Sequence, residues 1–144
     1  MVGVHVRRKQ GRGMVLADLL HRLVQASPDF EGAVLVSTDG LVIAADWPVE
    51  GRQGADGLSV DDLSDDVGAV ATRAFELSSR ATEALDQGGL DRLILLGSRG
   101  NMVITRAGRL ALCVVLLKPQ AKIGIASFEA ERISRQIAEV VDVL

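Results

Sequence analysis

Residues 34–48 read VLVSTDGLVIAADWP. Two short apolar runs flank the pair Asp39-Gly40. An Asp-Gly pair in that setting is a strong hairpin signal. A type I′ turn needs positive φ at both central residues, which Gly adopts freely and Asp tolerates. The stretch therefore predicts two antiparallel strands, near 32–37 and 41–46, joined by a tight turn. A hairpin by itself carries no chemistry, so function must be sought around it.

Upstream, Met14, Leu16, Leu19, Leu20, Leu23 and Val24 fall on one face of a helix over 14–26. Asp18, His21, Arg22 and Gln25 lie opposite, on a solvated face. Ser27-Pro28 closes this helix, because the residue before proline resists the α region. Downstream, WPVEGRQGADGLS at 47–59 carries Pro48, Gly51, Gly54 and Gly57 and reads as a mobile loop.

A long helical pattern follows the loop. Leu63, Val67, Val70, Ala74, Leu77, Ala81 and Leu85 form one stripe, with Arg73, Glu76, Arg80 and Glu83 on the other side. Ser59 or Asp61 is placed to cap the helix. Asp61, Asp62, Asp65 and Asp66 lie near the positive end of its dipole. Gly88-Gly89 is expected to stop it. The helix is rich in small residues (Ala69, Ala71, Ala74, Ser78, Ala81, Ala84), which let another helix or a sheet approach closely. Its charges suit neighbour pairs of Arg73 with Glu76, and of Arg80 with Glu76 and Glu83.

Leu93–Leu96 is a continuous apolar run, as in a strand covered on both faces. At a sheet edge it would need a cover or a partner. Strands over 102–106 and 110–118 follow. STDGLVI at 37–43 is echoed by SRGNMVI at 98–104, two turns with similar demands. Ile123, Ala126, Ala130, Ile133, Ile137, Val140 and Leu144 mark a final amphipathic helix. The order α-β-β-α-β-β-β-α, with short connections, predicts an α+β fold with a five-stranded, mostly antiparallel sheet under helices.

Composition narrows the function classes. The chain has 144 residues, enough for one domain with a substantial core. Nearly half are apolar, yet there are three Phe, one Trp and no Tyr, so the core is aliphatic. Few aromatics argue against base-stacking platforms. The net charge of −3 is unevenly spread. Residues 1–12 carry Arg7, Arg8, Lys9 and Arg12 and no acid, whereas residues 13–72 set eleven acids against Arg22 and Arg52. A basic leader on an acidic body does not match a nucleic-acid-binding domain, so no nucleic-acid partner is expected. Residues 1–13 are read as a flexible basic leader and 14–144 as a single domain.

A lone cysteine, Cys113, excludes an intramolecular disulfide and favours a cytoplasmic setting. Inside ALCVVLL it reads as packing rather than as a nucleophile. No apolar run approaches the ~20 residues that span a bilayer, so no membrane insertion is expected. His5 and His21 have no Cys or His at metal-ligand spacing, so neither metal nor catalytic residue is assigned. No Gly-x-Ser-x-Gly elbow is present. The glycines of 51–57 lack the Lys-Ser/Thr ending of a phosphate loop, so no cofactor is expected. The Asp61–Asp66 acids lack the calcium-loop spacing and its closing Glu.

From about residue 14 to 142 the chain resembles the Roadblock/dynein light chain family. The likeness is carried by Phe30-Glu31-Gly32-Ala33-Val34-Leu35-Val36-Ser37 and by Asp39-Gly40-Leu41-Val42-Ile43-Ala44, which match the family's first hairpin. The Ala-rich middle helix follows at the expected place. Ala121-Lys122-Ile123-Gly124-Ile125-Ala126, followed by Glu129 and Arg132, resembles the opening of the family's last helix. Lys122 stands where Asn is common, and the 47–59 loop is longer than in compact members.

The resemblance implies a Roadblock/profilin-like sheet with helices on both faces. It implies a non-catalytic homodimer whose sheets join edge to edge and whose middle helices lie side by side. It further implies binding to a small Ras-like GTPase, as in bacterial members, some of which activate hydrolysis. The dimer interface then takes Val70, Ala74, Leu77, Ala81, Leu93 and Leu95, and the partner surface takes Arg73, Glu76, Arg80 and Glu83. Two alternatives stand beside this reading: a small-molecule sensor domain, and a structural adaptor without a GTPase.

Overall fold

The computed structural model describes residues 4–7, 11–48 and 60–143. Its elements in chain order are β1 (Val4–Arg7), α1 (Arg12–Gln25), β2 (Phe30–Ser37), β3 (Val42–Pro48), α2 (Val60–Ala84), β4 (Arg92–Leu96), β5 (Asn101–Arg106), β6 (Ala111–Leu117) and α3 (Ile123–Val141). From α1 onward the order is α-β-β-α-β-β-β-α, as the patterns predict. The sheet runs β1-β3-β2-β6-β5-β4, with every neighbouring pair antiparallel.

The sixth strand comes from the leader. Val4–Arg7 pairs with β3 in the register Val4↔Pro48, His5↔Trp47, Val6↔Asp46, Arg7↔Ala45. Residues read as flexible thus supply an edge strand, and α1 starts two residues before 14. Four residues are too few for a readable period. The open edge of β3, with unpaired N–H and C=O groups, is what gives them structure. The remainder of the expected 47–59 loop, residues 49–59, lies outside the described residues, as does the Ser59 cap. Trp47 and Pro48 belong to β3 instead of to that loop.

The β2–β3 hairpin forms, but not through a type I′ turn. Gly40 has φ 91°, while Asp86 is the one non-glycine with positive φ among the described residues, so Asp39 keeps negative φ. Ser37 O accepts from Gly40 N at 2.9 Å, and Leu41 O accepts from Ser37 N at 2.8 Å. The loop is therefore three residues long, with glycine at its last position. Ser37 Oγ, accepting from Leu41 N at 3.1 Å, secures it. A further irregularity pairs Leu35 with Ala44 and Val36 with Val42.

Helices α1 and α3 cover one sheet face and α2 covers the other. The first layer buries Leu16, Leu20 and Leu23 against Leu35, Val115, Ile133 and Ile137. Met14, placed on that face by its spacing, is instead exposed. The second layer buries Val67, Ala71 and Phe75 of α2 against Val34, Val36, Ile104 and Val114. Trp47 ties this layer together. Its Nε1 donates to Ser64 Oγ at 2.8 Å, and that hydroxyl donates to Val60 O at 2.8 Å. The indole lies where a side chain on Gly32 would have to stand. Gly68 likewise lets α2 approach the hairpin, since a Cβ there would meet Val36 at 3.1 Å.

Helix α2 stops earlier than Gly88-Gly89. Gln87 N donates to Thr82 O at 2.8 Å and Asp86 N to Glu83 O at 3.1 Å. With Asp86 at φ 59°, this is a Schellman stop that uses aspartate where glycine is commoner. Helix α1 ends before Ser27-Pro28, as expected, and Ser27 Oγ accepts from Asp29 N at 3.1 Å.

Candidate functional surface on α2 and the β4 edge

The stripe read as a single face of α2 is divided by the sheet. Val67 is buried, Leu63 and Ala74 are half-buried, and Val70, Leu77, Ala81 and Leu85 are exposed. The face that packs inward is instead Ser64, Val67, Gly68, Ala71 and Phe75. An arc of about 100° is enough to seat a helix on a sheet. The apolar residues of α2 span more than that arc. The surplus leaves Val70 at 57% and Leu77 at 68% exposure.

β4 is the last strand of the sheet, and its Leu93 packs on the same apolar layer as Leu63 and Val67 of α2. Helix α2 sits over β2, β3 and β6, and α3 over β5 and β6. α3 touches β4 at Arg92, whose Nη2 donates to Glu131 Oε2 at 3.3 Å, while Ile94–Leu96 lie largely beyond both helices. Its run is therefore not covered on both faces within the monomer: Ile94 and Leu95 are each 40% exposed and Leu96 is 71%. Leu93 and Leu95 pair with Ile104 and Met102, which places them on the α2 side of the sheet. An exposed apolar helix flank and an unpaired apolar strand edge thus lie on one side of the molecule. Patches of this kind mark interfaces.

The opposite flank of α2 is polar and borders a cleft of about 290 Å³. Thr38, Thr72, Phe75, Glu76, Ser79, Arg80, Glu83, Arg106 and Leu112 line it. Three of the four expected partner-surface residues, Glu76, Arg80 and Glu83, come together here; Arg73 does not line it. Arg80 Nη2 donates to Glu76 Oε1 at 2.6 Å. Both side chains are well exposed, so this pair contributes at most a few tenths of a kcal/mol. Arg106, absent from the sequence-based set, is the better-held cation. Its guanidinium stands 5.0 Å from the Phe75 ring centroid and Nε donates to Leu90 O at 2.9 Å. No local pattern links position 106 to α2; only the β5 register does.

Two ionisable groups sit elsewhere. His21, read as solvated, has Nδ1 3.3 Å from both carboxylate oxygens of Asp46. Asp46 is fully buried in β3. Burial pushes its carboxyl pKa up, against the opposing pull of His21. Cys113 lies buried in β6, and burial pushes its thiol up to about 12. A thiol so raised stays protonated at neutral pH and is packing, not a nucleophile. Among the described residues, no group of three His, Cys, Asp or Glu side chains could hold a metal ion. No described helix is long and apolar enough to cross a membrane.

The Roadblock/LC7 domain model matches residues 16–116, from α1 through β6. The chain belongs to the Roadblock/LC7 domain family. Uncharacterized protein MJ1340 of Methanocaldococcus jannaschii is 29% identical over 107 residues, which cover 74% of this chain and 83% of that one. The crystal structure of a Roadblock/LC7 domain from Streptomyces avermitilis superposes with a TM-score of 0.73 at 23% identity, covering 87% of this chain and 96% of that one. The gliding protein MglB from Thermus thermophilus superposes with a TM-score of 0.81 at 15% identity, covering 99% of this chain and 100% of that one. At such identities the superpositions establish a shared fold. The family assignment rests on the domain match.

Proposed function

We propose that this chain is a non-catalytic, homodimeric regulatory or adaptor subunit of the cytoplasm that binds a small Ras-like GTPase. One observation carries the reading: the bare flank of α2 and the bare edge of β4 border the same apolar layer, on which Leu63 and Leu93 both pack. Both hydrophobic burial and main-chain pairing become available if a second copy meets the first there. In that dimer β4 pairs with its counterpart, and Val70, Ala74, Leu77, Ala81, Leu93 and Leu95 form the seam. Burying several large aliphatic side chains at about 25 cal/mol per Å² supplies the drive.

The GTPase docks on the polar flank, through Arg73, Glu76, Arg80 and Glu83. If hydrolysis is stimulated, the subunit acts by ordering the GTPase's own switch loops or by lending Arg73 or Arg80. The family resemblance supports this partner class. Sedimentation tests the dimer: a single-molecule species at roughly tens of micromolar removes the platform. Co-purification with nucleotide-loaded GTPases of the same genome tests the partner. A dimer that ignores every GTP-loaded candidate leaves the assembly standing and rejects the GTPase.

A further inference from the structure

The proposed seam and partner surface use no residue of 1–12, yet residues 4–7 are built into the sheet. They form the outermost strand beside β3, at the end opposite β4. We infer that the outer edge of β3 is a strand-docking edge, held in cis by Val4–Arg7 and open to an extended basic segment of a partner protein that displaces them. The inference stands independently of the GTPase reading.

Three observations support it. The first is length. β3 offers seven residues, Val42–Pro48, and the ladder with β1 uses four, ending at Arg7↔Ala45. Val42, Ile43 and Ala44 lie beyond it. An incoming segment spanning all of β3 makes more main-chain bonds than the leader does. Strand addition of this kind draws its affinity from the backbone and so accepts many sequences. The second is charge. Residues 1–12 carry four bases and no acid, whereas residues 13–72 carry eleven acids against two bases. An incoming segment of like charge is attracted by the same acidic excess. The third is specificity between edges. β4 presents bare Ile94, Leu95 and Leu96 and suits a copy of itself. β3 carries the buried Asp46 within its paired stretch and is covered instead by Val4–Arg7, whose one fixed charge is that of Arg7.

The cis strand also sets a threshold. Being part of the same chain, it acts at an effective concentration that a free peptide must exceed, on the order of millimolar. The test uses the full chain and a double variant, His5→Pro with Val6→Pro. Successive N–H groups alternate between a strand's two sides, so one of these prolines removes a donor facing β3. The probe is a fluorescein-labelled peptide of sequence MVGVHVRRKQ, followed by anisotropy. The variant is expected to bind the probe saturably, at least about tenfold more tightly than the wild-type chain, with affinity falling as salt rises.

A probe carrying the same two prolines is expected not to bind. Equal binding of the two probes reduces the effect to charge adhesion and overturns the inference, as does no saturable binding to the variant. Hydrogen exchange on the wild-type chain checks the cis strand separately. Amides of residues 4–7 should exchange more slowly than in the free peptide, and equal rates also overturn it.

Discussion

The sheet has two edges, and they are finished in opposite ways. At one end β4 offers partly bare aliphatic side chains, on the border of an apolar layer it shares with α2. At the other end β3 is closed by the short strand Val4–Arg7 of the same chain, with a buried carboxylate in its paired stretch. Edge strands are hazards unless paired or protected. An apolar edge left open gains most from an apolar, self-complementary partner. An edge covered in cis is, on the inference drawn above, withheld until a competitor arrives. On the two proposals above, one sheet carries a permanent seam and a conditional one without confusing them.

The sharpest way to break this comparison is to charge the open edge. Leu95→Arg puts an unpaired cation into the proposed seam, and the dimer should dissociate by about 3 kcal/mol, more than a hundredfold in Kd. Sedimentation velocity reads this directly. Leu95 is 40% exposed in one copy, so the same substitution should cost the monomer less, about 1 kcal/mol in urea unfolding.

At the covered end the largest effect belongs to Gly32→Ala. Its methyl group collides with the Trp47 indole. The indole holds β3 to α2 through Ser64, so unfolding in urea should show a loss of about 2 kcal/mol. If the loss is negligible, Trp47 is not the tie between hairpin and helix.

The buried carboxylate makes a prediction with a sign. The Asp46 pKa is raised on folding, so its contribution to stability is complete below the ordinary value of 3.8. That contribution is lost as pH rises through the raised value. Asp46→Asn should remove this decline, flattening the pH dependence of urea midpoints on the acidic side. A decline of unchanged size in the variant would assign it to other groups.

The smallest expected effect lies at the approach to the open edge. Asp86→Gly relieves the positive φ at the end of α2 and should stabilise by about 0.5–1 kcal/mol, read as a rise in Tm. Because the position precedes β4 without touching the seam, dimer affinity should not change.

The predictable parts of this molecule were those governed by neighbours in sequence. The hairpin around Asp39-Gly40, the eight elements from α1 to α3 and the closing of α1 before Ser27-Pro28 all follow from periodicity and turn chemistry. The family likeness was legible for the same reason, since it rests on the order and spacing of those elements.

What the tertiary structure alone decided concerns which surfaces meet. Spacing placed Val67, Val70 and Leu77 on one stripe, but the sheet is narrower than the stripe, so Val67 is buried while Val70 and Leu77 stay bare. Arg106 reaches the cleft through strand register, and His21 meets Asp46 across 25 residues. Residues 4–7 become a strand because β3 has unpaired groups to offer. Local patterns fix what a segment can form, because those forces act over a turn or two of chain. Coverage of a flank or an edge depends on how far a neighbouring element extends in space, and that length is written in no single segment.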